Sequence, residues 1–556
     1  MSIKEKIKDI TFSEWILFGF LLLGGGFNEY ICCAAAFILC CVLIVKTVGK
    51  KEFVFRVNLV SVSVVVITLG YLVSTFYAVD SGMAFTGFLK FLPVALYMVL
   101  LMQDEGERER VIGRLPYFAL ILGLLSLAAV FIPALEKYFV SQERMAGFFQ
   151  YPNTFAMFLL IGELVILCRE KYRARDIAAA SALVILMLFT GSRAVFVLAA
   201  LSNILILFLR RGRKTKLIML GAVALLAVIS AVCLPMIMKS EVFSRYFTIS
   251  FNDNSFICRL LYYRDGIPVI LKHPFGLGYM GYYYTEQSFQ TGIYYIKNIH
   301  NDFLQLALDI GWVPCALFIA GIVKSFFSKR IKAPRKIILL VTVLHALFDF
   351  DLQFGAMFCI LLLFSDTECG KVFSLSKTAV NTASALLATL SLYFSVALGL
   401  SYFGAFSFAD YMFPANTQNK ISLMISENNI ESQAKLADEI IKNNSYVQIA
   451  YGAKAKQAFS HGDIGDFIVY YKKVFEVAPF SYNEYEEYSR MLIDAIKLYE
   501  RAGDEYSANY CKKELVSARD ALRALPERQS LLGKKIANKV RTELPEDICE
   551  YIENIE

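Results

Sequence analysis

Four histidines occur in 556 residues. One of them, His300, stands where the long loop 238–301, rich in Tyr, Gly and Arg, meets an apolar run. A titratable imidazole at a membrane–water boundary, downstream of several arginines, points to proton transfer on an anionic substrate. Asn301 or Asp302 offers an N-cap to a helix carrying Phe303 to Ile310. The positive end of that helix favours a neutral imidazole, the form a general base needs. A lone histidine is more commonly just a hydrogen-bonding group at an interface; the arginines elsewhere in the chain favour the base. Arg144 lies in the segment 144–153, and Arg193 ends Gly191-Ser192-Arg193 between two apolar runs. Arg245, Arg259, Arg264 and Lys272 lie in the long loop. Asp349 and Asp351 follow the apolar run 335–348, with His345 one turn inside it. Guanidinium forks grip phosphate oxygens bidentately and keep their charge at any relevant pH. Fixed arginines in a dry, lipid-edged site could stabilise a departing pyrophosphate without a metal. A single arginine serves equally well as a headgroup anchor, but the turn that carries Arg193 is too short for a mere surface loop.

These residues need elements to hold them. The chain is 57% hydrophobic and 14% aromatic with 19% charged residues, and its mean hydropathy is +0.52. That composition predicts an all-α, polytopic transmembrane bundle. The net charge of +7 gathers in short loops and speaks to topology rather than to nucleic acid. Most of the twelve cysteines lie in apolar runs without metal-ligand spacing and read as small buried hydrophobes. Lys4, Lys6 and Lys8 precede a first apolar run that reads as a retained span.

Apolar runs at 14–28, 30–47, 57–77, 83–102, 113–133, 153–168, 176–191, 194–209, 215–237, 302–326, 335–348, 353–366 and 378–405 give about 12–13 spans. Loops rich in Lys and Arg (46–56, 108–114, 169–175, 210–216 and 324–336) alternate with 78–82, 134–152, 192–193, 238–301 and 349–352. The positive-inside bias assigns the first set to the cytoplasm and the second to the outside. The loop 367–377 carries little net charge and fixes the last span only weakly. An odd number of spans then leaves the C-terminal region outside, so the expected domains are a transmembrane part, 1–405, with 238–301 as its catalytic loop, and a soluble helical part, 415–556. In that tail 446–460, 464–477, 483–502 and 505–522 are amphipathic, punctuated by Gly462-Asp463 and Gly503-Asp504. The pattern resembles a degenerate tetratricopeptide (TPR-like) array, and a small helical bundle fits it as well.

Taken in order, Arg144-Met145-Ala146-Gly147 with Pro152-Asn153, Gly191-Ser192-Arg193, Arg259 through Gly266, Pro274-Phe275-Gly276-Leu277-Gly278, His300-Asn301-Asp302-Phe303-Leu304, and His345 with Asp349 resemble the O-antigen ligase and O-antigen polymerase superfamily. The resemblance covers roughly residues 60–365. It implies a metal-independent glycosyltransferase of the bacterial cytoplasmic membrane, without cofactor, that moves glycan from undecaprenyl pyrophosphate to an acceptor hydroxyl on the outer face. His300 would activate the hydroxyl. Arg193 and Arg259 would hold the pyrophosphate, and Arg264, Arg144, Asn301, Asp302, His345 and Asp349 complete the expected substrate-binding set. Asp309 stands where the family often carries Glu. A surface-polysaccharide polymerase is the favoured activity, ahead of ligation to a lipid, wall or protein acceptor. The implied partners are the lipid-linked donor, the acceptor, and other envelope-assembly proteins through the C-terminal helices.

Two rivals remain. Asp349-Phe350-Asp351 could hold a divalent cation in the manner of a DxD pair, which EDTA would disable. A polysaccharide flippase would also carry arginines, yet the chain lacks the half-to-half similarity common in transporters.

Overall fold

A computed structural model describes residues 11–48, 52–209 and 254–555. The apolar run 215–237, Arg245, the basic cluster 210–216, the lysines at 4, 6 and 8 and those at 50 and 51 lie outside the described residues. The fold is mostly helical, and the chain divides into two units. The first comprises 1–73, 86–250 and 300–399, and the second 74–85, 251–299 and 400–556.

Two helices of the first unit, Pro152–Leu167 and Gly355–Phe364, are apolar almost all round and buried over nearly their whole length. Apolarity on every side suits a central position, since such a helix has no polar face to give to water. Both begin at polar segments, 151–154 and 349–353. Pro152 opens its helix at a position where the missing N–H costs nothing. Four helices are long and apolar enough to cross a membrane: Glu29–Val48, Ser81–Leu101, Glu107–Val130 and Lys377–Tyr402. Six shorter apolar helices accompany them among the described residues. The expected single run 302–326 is instead two helices, Asp302–Ile310 and Trp312–Phe327. Gly311 separates them at φ +89°, a conformation only glycine adopts without strain.

Away from those polar segments, the first unit ties its basic loops together. Lys46 pairs with Asp104, Arg335 with Glu109, and Arg108 with Glu368 at 3.6 Å. Asn58 donates to the carbonyls of Thr367 and Cys369, both at 3.0 Å. Strand Phe53–Val57 pairs antiparallel with Lys371–Leu375, Phe55 opposite Phe373. The segment 367–377 therefore adjoins the basic loop before residue 58.

In the second unit the loop region is itself helical. Arg259 and Arg264 sit on Asn254–Lys272, which extends well beyond the short amphipathic helix that the pattern of Phe256 through Gly266 predicts, followed by Gly281–Phe289. The tail helices are Gln448–Ser460, Ile464–Val477, Tyr482–Ala502 and Glu505–Arg528, close to the amphipathic segments read from the pattern. Gly462 and Gly503 turn the chain between them at positive φ. Phe467, Tyr471, Tyr488, Leu492 and Leu515 share their core.

The tail is bonded to the rest of this unit at several places, three of which involve the segment 78–82 and the loop region. Asp80 accepts from Asn443 and Asn444 at 3.3 and 3.1 Å. Gln418 donates to the Tyr284 hydroxyl at 2.9 Å, and the Ser530 N–H donates to the Thr291 carbonyl at 3.0 Å.

Gly147 is the tightest backbone position in the segment that carries Arg144. It has φ +58°, and a Cβ there would lie 2.4 Å from the Phe155 ring. Gly147→Ala should cost about 1–3 kcal/mol, from backbone strain and overpacking together. Thermal melting in detergent checks this, and an unchanged midpoint would show that the turn yields.

Candidate active site

His300 begins the third segment of the first unit and takes φ +54°, one of five non-glycine residues at positive φ among the described residues. Strain of this kind costs of order 1–3 kcal/mol and survives only where surrounding contacts impose it. Those contacts are visible. Asn301 is the N-cap of Asp302–Ile310: its Oδ1 accepts from the N–H groups of Phe303 and Leu304, both at 3.0 Å. Its Nδ2 donates to the Leu347 carbonyl at 2.9 Å. Asp302 Oδ2 accepts from the Leu352 N–H at 2.9 Å. Asn301 and Asp302 thus anchor the backbone beside His300 to the segment 347–352.

That segment brings Asp349 to the imidazole, with His300 Nδ1 3.3 Å from Asp349 Oδ1. The Phe350 ring meets the imidazole edge-on at 5.0 Å and stacks on Tyr151 at 4.6 Å. The Asp349 carboxylate is 2% exposed. It also accepts from the Tyr151 hydroxyl and from Asn153 Nδ2, each at 2.7 Å, and from its neighbour's N–H, Phe350, at 3.0 Å. A buried carboxylate is tolerable only with such a donor set. An ionised Asp349 is an acceptor only, so the proton of a neutral His300 belongs on Nδ1 and its lone pair on Nε2.

Arg144 stands one step behind. Its Nε donates to the Thr190 carbonyl at 2.7 Å and its Nη2 to Asn153 Oδ1 at 2.6 Å. Because the Asn153 oxygen faces the guanidinium, its amide nitrogen is turned to Asp349. A relay therefore runs from Arg144 through Asn153 and Asp349 to His300. Thr190 begins the turn that reaches Arg193, which is half-buried at the N-terminus of the helix Arg193–Leu209. His345 is buried and pairs with Asp351, which also accepts from Thr154 Oγ1 at 2.6 Å. Asp349 and Asp351, proposed as a cation pair by the rival reading, are turned to separate donor sets. Among the described residues no group of three His, Cys, Asp or Glu side chains is placed to hold a metal.

The first unit thus gathers His300, Asn301, Asp302, Asp349, His345 and Arg144. Arg259 and Arg264 belong to the second unit. Arg259 donates to the Ser255 hydroxyl at 2.6 Å. Arg264 donates to Asp265 at 3.0 Å and to the Thr291 hydroxyl at 2.7 Å. Tyr151, Thr154 and Thr190 escaped the sequence reading, and Asn153 entered it only as part of a motif. The Pro after Tyr151 and the apolar run from Phe155 to Ile161 were the signal that a buried helix starts there.

A mostly helical fold with several apolar helices suggests a membrane protein. Residues 178–319 match the family model for O-antigen ligase. That match bears out the resemblance to the O-antigen ligase and polymerase superfamily and supports a membrane glycosyltransferase of that or a related type. It takes in Arg193, Arg259, Arg264 and His300, while Arg144, His345 and Asp349 fall beyond it. No curated protein and no solved structure matches the chain.

The second unit also buries Glu286, 1% exposed, whose Oε1 accepts from the Ile296 N–H at 3.1 Å. Burial pushes its carboxyl up to about 9. The folded state therefore holds a proton there that the unfolded chain loses above its ordinary value, so this group lowers stability as pH rises from about 4.5 to about 9. Glu286→Gln mimics the protonated form. It should raise the melting midpoint at pH 8 and leave it nearly unchanged at pH 5; an equal effect at both pH values would refute the assignment.

Proposed function

We propose that the chain transfers glycan from undecaprenyl pyrophosphate to an acceptor hydroxyl on the outer face of a bacterial cytoplasmic membrane, as a polymerase of surface polysaccharide. The observation that carries this reading is His300 held by a buried Asp349. The acceptor O–H gives its proton to His300 Nε2 as its oxygen bonds the anomeric carbon. The bond from that carbon to the pyrophosphate oxygen breaks with its electron pair on the pyrophosphate. Asp349 keeps Nδ1–H in place and offsets the imidazolium charge that forms, the part a carboxylate plays behind a catalytic histidine. Arg193 is the proposed guanidinium for the leaving group, and Arg259 keeps the same role from the family resemblance. The substrate-binding parts of Arg144 and His345 are exerted through Asn153 and Asp351. No metal or cofactor enters this scheme.

The outward orientation has two supports. The pairing of 371–375 with 53–57 favours a cytoplasmic start for the helix Lys377–Tyr402. Asp80, in a loop read as outer, is bonded to Asn443 and Asn444 of the tail. The TPR-like character of the tail, and its use by envelope-assembly partners, belong to the same proposal. A ligase acting on a lipid, wall or protein acceptor is the second reading, favoured by the description of the matching family.

A deletion strain complemented with variants separates them. His300→Ala should lower transfer roughly 10²-fold or more, the usual worth of a general base. Asp349→Asn should also lower it while the protein still accumulates in the membrane. Loss of long glycan with surviving single-repeat product marks a polymerase, and loss of all anchored glycan with lipid-linked polymer accumulating marks a ligase. Full activity of both variants would end the catalytic assignment, and inhibition by EDTA would restore the cation reading.

A further inference from the structure

The second unit contains a cavity of about 600 Å³, in the size range of small-ligand sites, which the transfer chemistry leaves unused. Arg264 and Lys272 come to its wall from the helix Asn254–Lys272, and His273 from the turn that follows. Phe289, Thr291 and, from the tail, Tyr446 complete the surfaces that matter here. The cations are unevenly answered. Both hydrogen bonds of Arg264 leave from Nη1, to Asp265 and Thr291, which fixes the guanidinium plane. Its Nε and Nη2 have no acceptor among the described residues. Lys272, exposed at the helix end, has no carboxylate within ion-pair distance among them.

The cavity therefore joins an immobilised guanidinium and an unpaired ammonium to hydroxyls and two aromatic side chains. A sugar presents apolar ring faces, which pack on aromatic side chains, and hydroxyl rims, which bond to polar ones. Asp265, also in the wall, answers Arg264 at 3.0 Å, so the surplus positive charge is that of Lys272, and it selects among sugars for those bearing anions. A bare diphosphate would leave the rings and most of the volume unused.

We propose that this cavity binds the glycan chain of the substrate, and that this chain carries acidic groups. The proposal rests on the reading of the protein as a glycan transferase and adds the class of glycan. It also gives the tail a direct part in substrate holding, through Tyr446.

Binding to the purified full-length protein in detergent, with no lipid-linked donor present, tests the site apart from the chemistry. Tetragalacturonate is the acidic probe, maltotetraose the neutral one and inorganic pyrophosphate the competitor. Tetragalacturonate should bind about tenfold or more tighter than maltotetraose at low salt, and Lys272→Ala should remove most of that difference. Tyr446→Ala should weaken both sugars by roughly threefold to tenfold, the worth of one aromatic contact. His300→Ala should bind as the wild type does. No binding of tetragalacturonate, equal binding of the two sugars, displacement by equimolar pyrophosphate, or wild-type binding by a Lys272→Ala protein each overturns the proposal. Melting curves of both variants show that they fold. An inactive family assignment with intact sugar binding, or active transfer without it, tells the two readings apart.

Discussion

Burying the Asp349 carboxylate is the constraint from which the rest of the first unit's polar end follows. A charge taken out of water costs several kcal/mol unless donors replace its hydration. Here the donors come from three separate stretches: Tyr151 and Asn153, the backbone at Phe350, and His300. Each stretch must be held for the carboxylate to be tolerated. Two buried helices begin beside it, and Asn301 and Asp302 tie the start of a third helix to the same segment. The positive φ at His300 is maintained by these anchors. The imidazole is therefore oriented in advance, which under the proposed transfer is the form of preorganisation that lowers a barrier rather than a ground state.

Arg144 shows how burial changes the meaning of a residue type. An arginine in an outer loop suggests a phosphate ligand, and its motif supports that expectation. Its guanidinium is instead spent on the Thr190 carbonyl and the Asn153 amide oxygen. Any influence on the reaction passes through Asn153, which it orients, to Asp349. Arg193, at the end of the turn that Arg144 pins, keeps the position of a residue that could meet an anion. Two arginines drawn from one charge argument thus take different places, one in the scaffold and one at a helix start.

What the sequence made legible follows from the physics it encodes. Apolar runs of near-span length carry a strong signal, so the helices Glu29–Val48, Pro152–Leu167 and Lys377–Tyr402 begin and end close to the runs that announced them. Gly311 broke the run 302–326 because one glycine in an apolar stretch barely changes its hydropathy, yet frees the backbone to leave the helix. His300 and Asp349 were visible as rare polar residues at the ends of apolar runs. Their pairing was not, since 49 residues separate them in the chain. The Asn301 cap was legible because its bonds run to Phe303 and Leu304, within its own turn. The amphipathic pattern of 256–266 announced part of the helix Asn254–Lys272, while its further extent and the helix Gly281–Phe289 were hidden by Tyr, Gly and charged residues that blur the apolar period. The hydrogen bonds of the tail to Asp80, Tyr284 and Thr291 had no local signal at all.

The last of those tail contacts centres on one residue of the second unit, Thr291. Its hydroxyl is shared by Asp265, Arg264 and Ser530, and its carbonyl accepts from the Ser530 N–H. Gly533 packs so closely that a Cβ there would lie 1.9 Å from the same carbonyl. The C-terminal region thus holds Thr291 within the second unit by residues more than two hundred positions away in sequence.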